Sequence, residues 1–346
     1  MDRQTKTGRI SFFAYLFYPR IASRISAAIL AALLQLPAFF SSCTQKENDA
    51  CVATKAQIYI QWSGIPTPDT LDLFFFFTEE PMRLDAYQQV SGLEEKRFTY
   101  AVSGNGPRRL VGLSGGTEDL YAWSFIQTYG SLGKLRFSLE EETPERPRLV
   151  GEALLEEGLS RQARLLLHPM LCAIRIRSVA ADFSGHPYAG TPFILDRLFL
   201  LNAGTECLPL DGSGHGPVSW MNLGRLDSLA LEGLPHPEML CQEGCGAVGA
   251  QRRNLDQTLY CYANPAAADE PGRPLTRCVL EGRIGTQTCY YPINLPAMEA
   301  GTCYQLDLTL TRMGSPDPDI PVESGTVVVE ADPLPWVVRD PETLLF

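Results

Sequence analysis

Short runs of alternating apolar and polar residues fill most of this chain, and turn residues separate them. Residues 56–62 ("AQIYIQW") alternate, whereas residues 71–77 ("LDLFFFF") form an apolar run that predicts a strand buried on both faces. Further predicted strands lie at 97–102, 108–113, 120–126 and 134–139, with Gly-, Pro- and Ser-rich turns between them. Their spacing of about a dozen residues favours an antiparallel β-sandwich over βαβ units.

A second series of strands begins after a boundary near residues 164–170. It is predicted to comprise 171–180, 193–202, 257–264, 275–284, 287–295, 302–313 and 325–338, with a hairpin turn at Gly285 and Thr286. Residues 203–257 are weakly patterned, which predicts a long insertion of loops with one short helix around 223–231. The chain is therefore predicted to be all-β, with one sandwich at 56–166 and a second, carrying the loop insertion, at 167–346.

The first 42 residues are typical of a signal peptide. Basic residues precede an apolar run at 25–36, which is too short to span a membrane. Ser41 and Ser42 then precede Cys43, the pattern of a bacterial lipoprotein in which the peptidase cuts before a cysteine that becomes acylated. This predicts a lipid anchor at Cys43 and a linker at 43–55. The alternative is a plain secretory signal followed by a chance cysteine.

The net charge of the full chain excludes some classes of partner. The formal net charge of −11 at pH 7 argues against nucleic acid, because no surplus of Lys and Arg is available to neutralise phosphates. It also disfavours electrostatic adhesion to anionic lipid headgroups.

Beyond Cys43 the chain holds nine cysteines, at positions 51, 172, 207, 241, 245, 261, 278, 289 and 303. Only Cys241 and Cys245 lie close together, and no C-x-x-C occurs, so a zinc site is not predicted. Structural disulfides or buried thiols are expected instead, since thiols can pair outside the cytoplasm.

The sequence carries little that predicts catalysis. Residues 112–116 ("GLSGG") fit G-x-S-x-G, but a strand rather than a helix is predicted to follow, which favours an ordinary turn. The histidines lie beside prolines or in a Gly-rich loop, and the acidic clusters at 140–142 and 156–157 are expected on solvated faces. Trp62 and Trp123 fall in predicted strands and are expected in the core. No phosphate loop or dinucleotide fingerprint occurs, so no catalytic residue, metal or cofactor is predicted.

Several segments of the chain carry motifs that occur together in one protein superfamily. They include "PDTLDLFFFF" (68–77), "LDAYQQV" (84–90), "HPMLCAIRIRSV" (168–179), "CYANPAA" (261–267) and "LEGRIGTQTCYYPINL" (280–295). The strongest match is "YQLDLTLTRMGSPDPDIPVESGTVVVE" (304–330), followed by Pro335 and Trp336. In this order and spacing the segments resemble the fimbrillin superfamily, and the resemblance covers nearly the whole mature chain except 203–257. It implies two transthyretin-like β-sandwiches, lipoprotein export and a role in type V pili, whose subunits join by strand exchange.

The resemblance also implies roles for individual residues. The closing strand with Val327, Val328, Val329 and Trp336 is the candidate for exchange, whether packed in place or donated to a neighbour. Behind Cys43, a lysine followed by acidic residues resembles the signal by which such lipoproteins reach the outer face of the membrane. Those residues are Lys46, Glu47 and Asp49, with a plain soluble linker as the alternative.

Stalk subunits of this superfamily lose a leading strand by cleavage at an arginine. Here the first arginine after Cys43 is Arg83, beyond two predicted strands, so cleavage there would remove core. We therefore expect a non-enzymatic lipoprotein of the outer membrane and fimbrium that keeps its lipid, an anchor or accessory subunit with pilin subunits as partners. The alternative is a surface lipoprotein that binds glycan.

Overall fold

The alternating segments of the first half form the strands of one sandwich. The structure, a computed structural model, describes residues 53–62, 67–93, 97–115, 123–158, 161–210, 216–322 and 327–335. The first eight strands are β1 (Ala53–Trp62), β2 (Thr70–Phe77), β3 (Leu84–Ser91), β4 (Arg97–Ser103), β5 (Arg108–Ser114), β6 (Phe137–Ser138), β7 (Leu149–Leu155) and β8 (Arg161–Pro169).

Seven of these strands follow one hydrogen-bonded path in the order β3-β2-β5-β7-β8-β1-β4. β7 and β8 pair only at Leu149 with Pro169 and at Val150 with His168, so the path bends there into two limbs. The limbs pack face to face over a shared core that includes Ile58 and Leu73. We call this unit the N-terminal sandwich.

β2 buries both of its faces, as its apolar run predicts. Leu71, Leu73 and Phe75 enter the core of the N-terminal sandwich. Phe74 and Phe76 point the other way and join a second, larger core. Aromatic contacts cover that outer face, with the ring of Trp123 5.4 Å from Phe74 and the ring of Tyr129 5.7 Å from Phe76, centroid to centroid.

The covering segment itself differs from the prediction. Residues 123–126, expected at the end of a strand, form turns, and the predicted strand 134–139 is reduced to the two residues of β6. Helical turns occupy Tyr129–Leu132 and Leu139–Glu141. Their apolar residues cap β2 from a loop, because burial requires only apolar side chains and not a strand.

The second half forms two further sheets. Its strands are β9 (Leu171–Ala181), β10 (Phe193–Leu201), β11 (Ala203–Cys207), β12 (Ser219–Met221), β13 (Cys241–Val248), β14 (Arg253–Tyr262), β15 (Arg277–Ile284), β16 (Gln287–Asn294), β17 (Thr302–Leu310) and β18 (Val327–Pro335). One sheet has the order β13-β10-β15-β16, and the other has the order β12-β11-β14-β9-β17-β18, with β6 added at β11. Their inner faces share the larger core, and we call this unit the C-terminal sandwich.

The all-β prediction is confirmed, but residues 203–257 are not an insertion of loops alone. They contain β11, β12, β13 and the start of β14, and β13 pairs with β10 along its length. The predicted short helix is present at Ser228–Glu232, and a further helical turn lies at Pro237–Met239. The hairpin predicted at Gly285 and Thr286 joins β15 to β16 in an unbroken register. The boundary predicted at residues 166 and 167 stays a prediction, and β8 continues across it to Pro169.

Candidate functional site

Among the described residues, the closing strand β18 pairs along one edge only. It runs antiparallel to β17 in one unbroken register, from Thr302 opposite Pro335 to Leu310 opposite Val327. The other edge of β17 pairs in parallel with β9. β18 is therefore the terminal strand of its sheet in the described part of the chain. Val327, Val328 and Val329 lie in this strand, and Trp336 lies outside the described residues.

Two prolines define which way the amides of β18 face. Pro333 and Pro335 lie two residues apart in the strand and have no amide hydrogen. Proline is tolerated in an edge strand where its nitrogen faces solvent. Because the register is unbroken, the amide of Val329 faces outward as well, and that of Val328 faces β17. The prolines also remove hydrogen-bond donors from the outer edge, which hinders addition of a further strand there.

β17, in contrast, is fixed to β9 by more than its ladder. The carboxylate of Asp307 is 5% exposed and accepts a hydrogen bond from the hydroxyl of Ser178 on β9. It also pairs with Arg177 and lies 3.6 Å from the guanidinium of Arg252. A buried carboxylate needs such partners, so β17 and β9 form one unit to which β18 is added.

At the other end of the described chain, β1 lies inside its sheet. It pairs antiparallel with β4 and parallel with β8. Ala56, Ile58 and Ile60 are fully buried on its inner face. Without β1, β4 and β8 would lose their shared neighbour and the core would open. The residues predicted for lipidation and export lie outside the described residues. They are Cys43, Lys46, Glu47 and Asp49.

The G-x-S-x-G serine is placed where it cannot act as an exposed nucleophile. Ser114 is 3% exposed at the end of β5, and its hydroxyl oxygen accepts a hydrogen bond of 2.9 Å from the amide of Leu149. The motif therefore stabilises a strand end, which agrees with the turn favoured from the sequence.

The described histidines have structural surroundings. His168 lies on the exposed face of β8, and partial desolvation lowers its pKa below the ordinary value. The ring of His186 stacks on Tyr188 with centroids 5.2 Å apart, and His236 lies 3.0 Å from the carboxylate of Glu238. None of the three faces both a nucleophile and an acid in the manner of a catalytic triad.

The thiols of the described cysteines are mostly buried, and none of the eight forms a disulfide. Burial raises the pKa of Cys241 to about 11 and the pKa of Cys261 and Cys278 to about 12. Thiolates are therefore scarce at neutral pH, and these residues act as small apolar core residues. Within the described chain, no three His, Cys, Asp or Glu side chains are grouped closely enough to hold a metal ion.

The aromatic residues in the described part of the chain do not make a flat platform for sugars. Trp123 is buried against Phe74, as predicted, and Trp62 packs against the N-terminal core. Phe77 is 36% exposed, and the guanidinium of Arg108 covers its ring at 4.0 Å. Phe125 is 57% exposed. A glycan platform would need coplanar exposed rings, and the described exposed aromatics do not form one.

The environment of one acidic residue differs from the prediction. Glu142 was expected on a solvated face but is 1% exposed. Its two oxygens accept hydrogen bonds from the hydroxyl of Tyr262 at 2.8 Å and from the amide of Arg148 at 2.9 Å. Burial raises the pKa of Glu142. The residue joins the segment before β7 to β14, and nothing local in "EEE" indicates a partner more than a hundred residues away.

The comparisons with known proteins concern the fold. Among solved structures, a "putative cell adhesion protein" from Parabacteroides distasonis has a TM-score of 0.60 at 13% identity, covering 83% of this chain and 99% of its own. The fimbrilin FimA from Porphyromonas gingivalis has a TM-score of 0.56 at 12% identity, with coverage of 83% and 99%. The tip fimbrial protein Mfa3 from Porphyromonas gingivalis has a TM-score of 0.50 at 9% identity, with coverage of 82% and 100%.

No family model and no curated protein matches the chain. At these identities the structural likeness establishes a shared fold, that of fimbrilins and adhesion proteins. In the described residues, no helix has the length and apolar character needed to cross a membrane.

Proposed function

We propose that this chain is a non-enzymatic structural subunit of a fimbrillin-type (type V) pilus, anchored by lipid at Cys43 in the outer membrane and joined to its neighbour by strand exchange. The observation that carries the proposal is the unequal placement of the two terminal strands: β1 is paired on both edges and β18 on one. The fold shared with fimbrilins supports the same assignment.

β18 is the strand that the subunit gives. A donated strand supplies its backbone hydrogen bonds to the sheet of a neighbour, and its alternate side chains fill a groove there. An edge strand can leave at the cost of one ladder, whereas an interior strand would break two. β18 meets this requirement, and the outer edge lined by Pro333 and Pro335 favours transfer of the strand over growth beside it.

The position of β1 supports a role for this subunit at the end of the fibre. It already fills the position between β4 and β8, so the N-terminal sandwich has no empty slot there for an incoming strand. A subunit that gives a strand but takes none makes one connection and ends the polymer. This is the property of an anchor or terminal accessory subunit rather than of a stalk subunit.

Removal of β1 by cleavage at arginine would be destructive. Arg83 follows β2, so a cut there would detach both β1 and β2 from the rest of the chain. The detached piece includes the fully buried Ile58, Ile60 and Phe74. Their loss would leave cavities that a domain of this size does not tolerate, so we propose that the leading strand and the lipid are kept.

The tether is short. Nine residues lie between Cys43 and the start of β1 at Ala53, a reach of at most about 35 Å when extended. The end of the N-terminal sandwich that holds the start of β1 would therefore lie close to the membrane. Lys46, Glu47 and Asp49 lie in this tether, where a machinery that moves lipoproteins to the outer face could read them.

Isolation from cells tests the proposal. Protein extracted with detergent should carry acyl chains on an N-terminal Cys43 by mass spectrometry and should co-isolate with pilin subunits. Cys43→Ala should abolish acylation and membrane retention, while Cys51→Ser, the matched control, should keep both. Mature protein that begins after Arg83 and lacks acyl chains would contradict the anchor assignment. Retention on polysaccharide with no pilin partner would favour the glycan-binding alternative.

A further inference from the structure

The connection between β17 and β18 crosses from one sheet of the C-terminal sandwich to the other. We call residues 311–322 the strap. Instead of turning directly, the strap reaches β16, the edge strand of the four-stranded sheet. Tyr290 of β16 and Ser315 of the strap exchange two backbone hydrogen bonds of 2.8 Å. Gly314 makes this approach possible, because a Cβ there would lie 2.3 Å from the carbonyl oxygen of Tyr290.

A buried arginine holds the far end of the strap. Arg277 is 5% exposed, and its Nη1 donates to Asp319 of the strap at 2.8 Å. Its Nε donates to Asn294 of β16 at 2.9 Å, and its Nη2 pairs with Asp269 in the loop before β15. One guanidinium thus joins three segments through the fixed fork of donors that arginine provides.

The near end of the strap is tied as well. The hydroxyl of Tyr291 donates to the carbonyl oxygen of Arg312 at 2.6 Å, and the amide of Met313 donates to the hydroxyl of Tyr188 at 2.9 Å. Within the strap, Asp317 accepts a hydrogen bond from the amide of Asp319 at 2.8 Å. Each of these partners belongs to the strap, to the four-stranded sheet or to the loop before it, and not to β18.

We propose that the strap is a fixed hinge. Locked by Arg277, it holds the two sheets of the C-terminal sandwich together independently of β18. When β18 separates from β17, the other strands therefore stay in place. The inference rests on the proposed function, in which β18 passes to a neighbouring subunit. The physical reason is that the strap contacts described above do not involve β18, so they persist when the β17–β18 ladder opens. Release therefore costs one ladder and leaves β16, β17 and the buried arginine in place.

Hydrogen–deuterium exchange on the full chain tests this with paired variants. Val328→Pro removes an amide that faces β17, whereas Val329→Pro introduces the same ring where the amide faces outward. We expect Val328→Pro to speed exchange in β18 by about tenfold or more, and Val329→Pro to change it much less. The amides of Tyr290 and Ser315 should exchange at the wild-type rate in both.

Arg277→Gln should have the opposite pattern. We expect exchange at Tyr290 and Ser315 to rise by about tenfold or more while the ladder between β17 and β9 stays protected. Arg283→Gln is the control, since its exposed pair with Asp196 at 2.9 and 3.0 Å lies on the same sheet outside the strap.

Three results would overturn the inference. They are loss of protection in the strap of Val328→Pro, unfolding of either proline variant, and unchanged exchange at Tyr290 and Ser315 in Arg277→Gln. The measurement uses purified protein without pilin. A failure of pilin co-isolation would therefore contradict the proposed function without affecting the exchange result for the strap. Likewise, a failure of the exchange test would contradict the strap inference without affecting the proposed function.

Discussion

β1 and β18, the first and last described strands, are both rich in β-branched or apolar residues, yet they are held in different ways. β1 is bonded along both edges and buries Ile58 and Ile60 completely. β18 is bonded along one edge, to a strand that is itself fixed elsewhere. The contrast shows that how firmly a strand is held depends on its neighbours and not on its composition.

The largest expected effect on the free energy of unfolding comes from a substitution on the buried face of β1. Ile58→Ala should lower the free energy of unfolding by about 2–5 kcal/mol, because the side chain is fully buried and the cavity cannot be filled by its neighbours. Gln61→Ala, at an exposed position of the same strand, should change it by less than about 0.5 kcal/mol. Urea denaturation measures both. Equal effects of the two variants would mean that β1 is not an integral strand.

A smaller effect on the free energy of unfolding is expected from a substitution in β17, the strand that pairs with β18. Asp307→Ala should cost about 1–3 kcal/mol, because Ser178 on β9 loses its acceptor and the charges of Arg177 and Arg252 lose theirs. Asp256→Ala removes an exposed partner of Arg175 and should cost less than about 1 kcal/mol. If the two substitutions had the same effect in urea denaturation, β17 would be no better fixed than the surface, and the contrast with β18 would disappear.

The smallest effect on the free energy of unfolding is expected at Glu142, whose hydrogen bond with Tyr262 joins the two sandwiches. Burial raises the pKa of Glu142 above its ordinary value of 4.5, so the folded state keeps a proton that the unfolded state releases. This contribution to the free energy of unfolding is therefore greatest below pH 4.5 and is lost as pH rises toward the raised pKa. Glu142→Gln should flatten the dependence of the free energy of unfolding on pH between 4.5 and the raised pKa.

Denaturation at a series of pH values measures this slope. Glu140→Gln, at an exposed neighbouring position, should leave it as in the wild type. A wild-type slope in Glu142→Gln would mean that the buried carboxylate does not titrate with folding. The contact with Tyr262 would then say nothing about coupling between the sandwich that holds β1 and the one that holds β18.

Periodicity was a reliable guide where burial was regular. The run of β2 predicted burial on both faces, and the alternation of β17 predicted a strand with one face in the core. It failed where apolar residues cover a sheet without joining it, as Trp123 and Ile126 do. It also missed β13, in which few residues are buried and Gly244 and Gly246 take left-handed conformations that disturb the alternation.

The sequence by itself determined the all-β class and the hairpin at Gly285, and it predicts lipidation at Cys43 and a closing strand for exchange. Each of these depends on residues close together in the chain. Only the tertiary structure decided that β1 is interior, that β18 is an edge strand in the described part of the chain, and that Arg277 pairs with Asp319 of the strap. These properties depend on which distant segments become neighbours. A strand's own residues specify its hydrogen-bonding groups, but the segments that pack beside it decide which of those groups remain open.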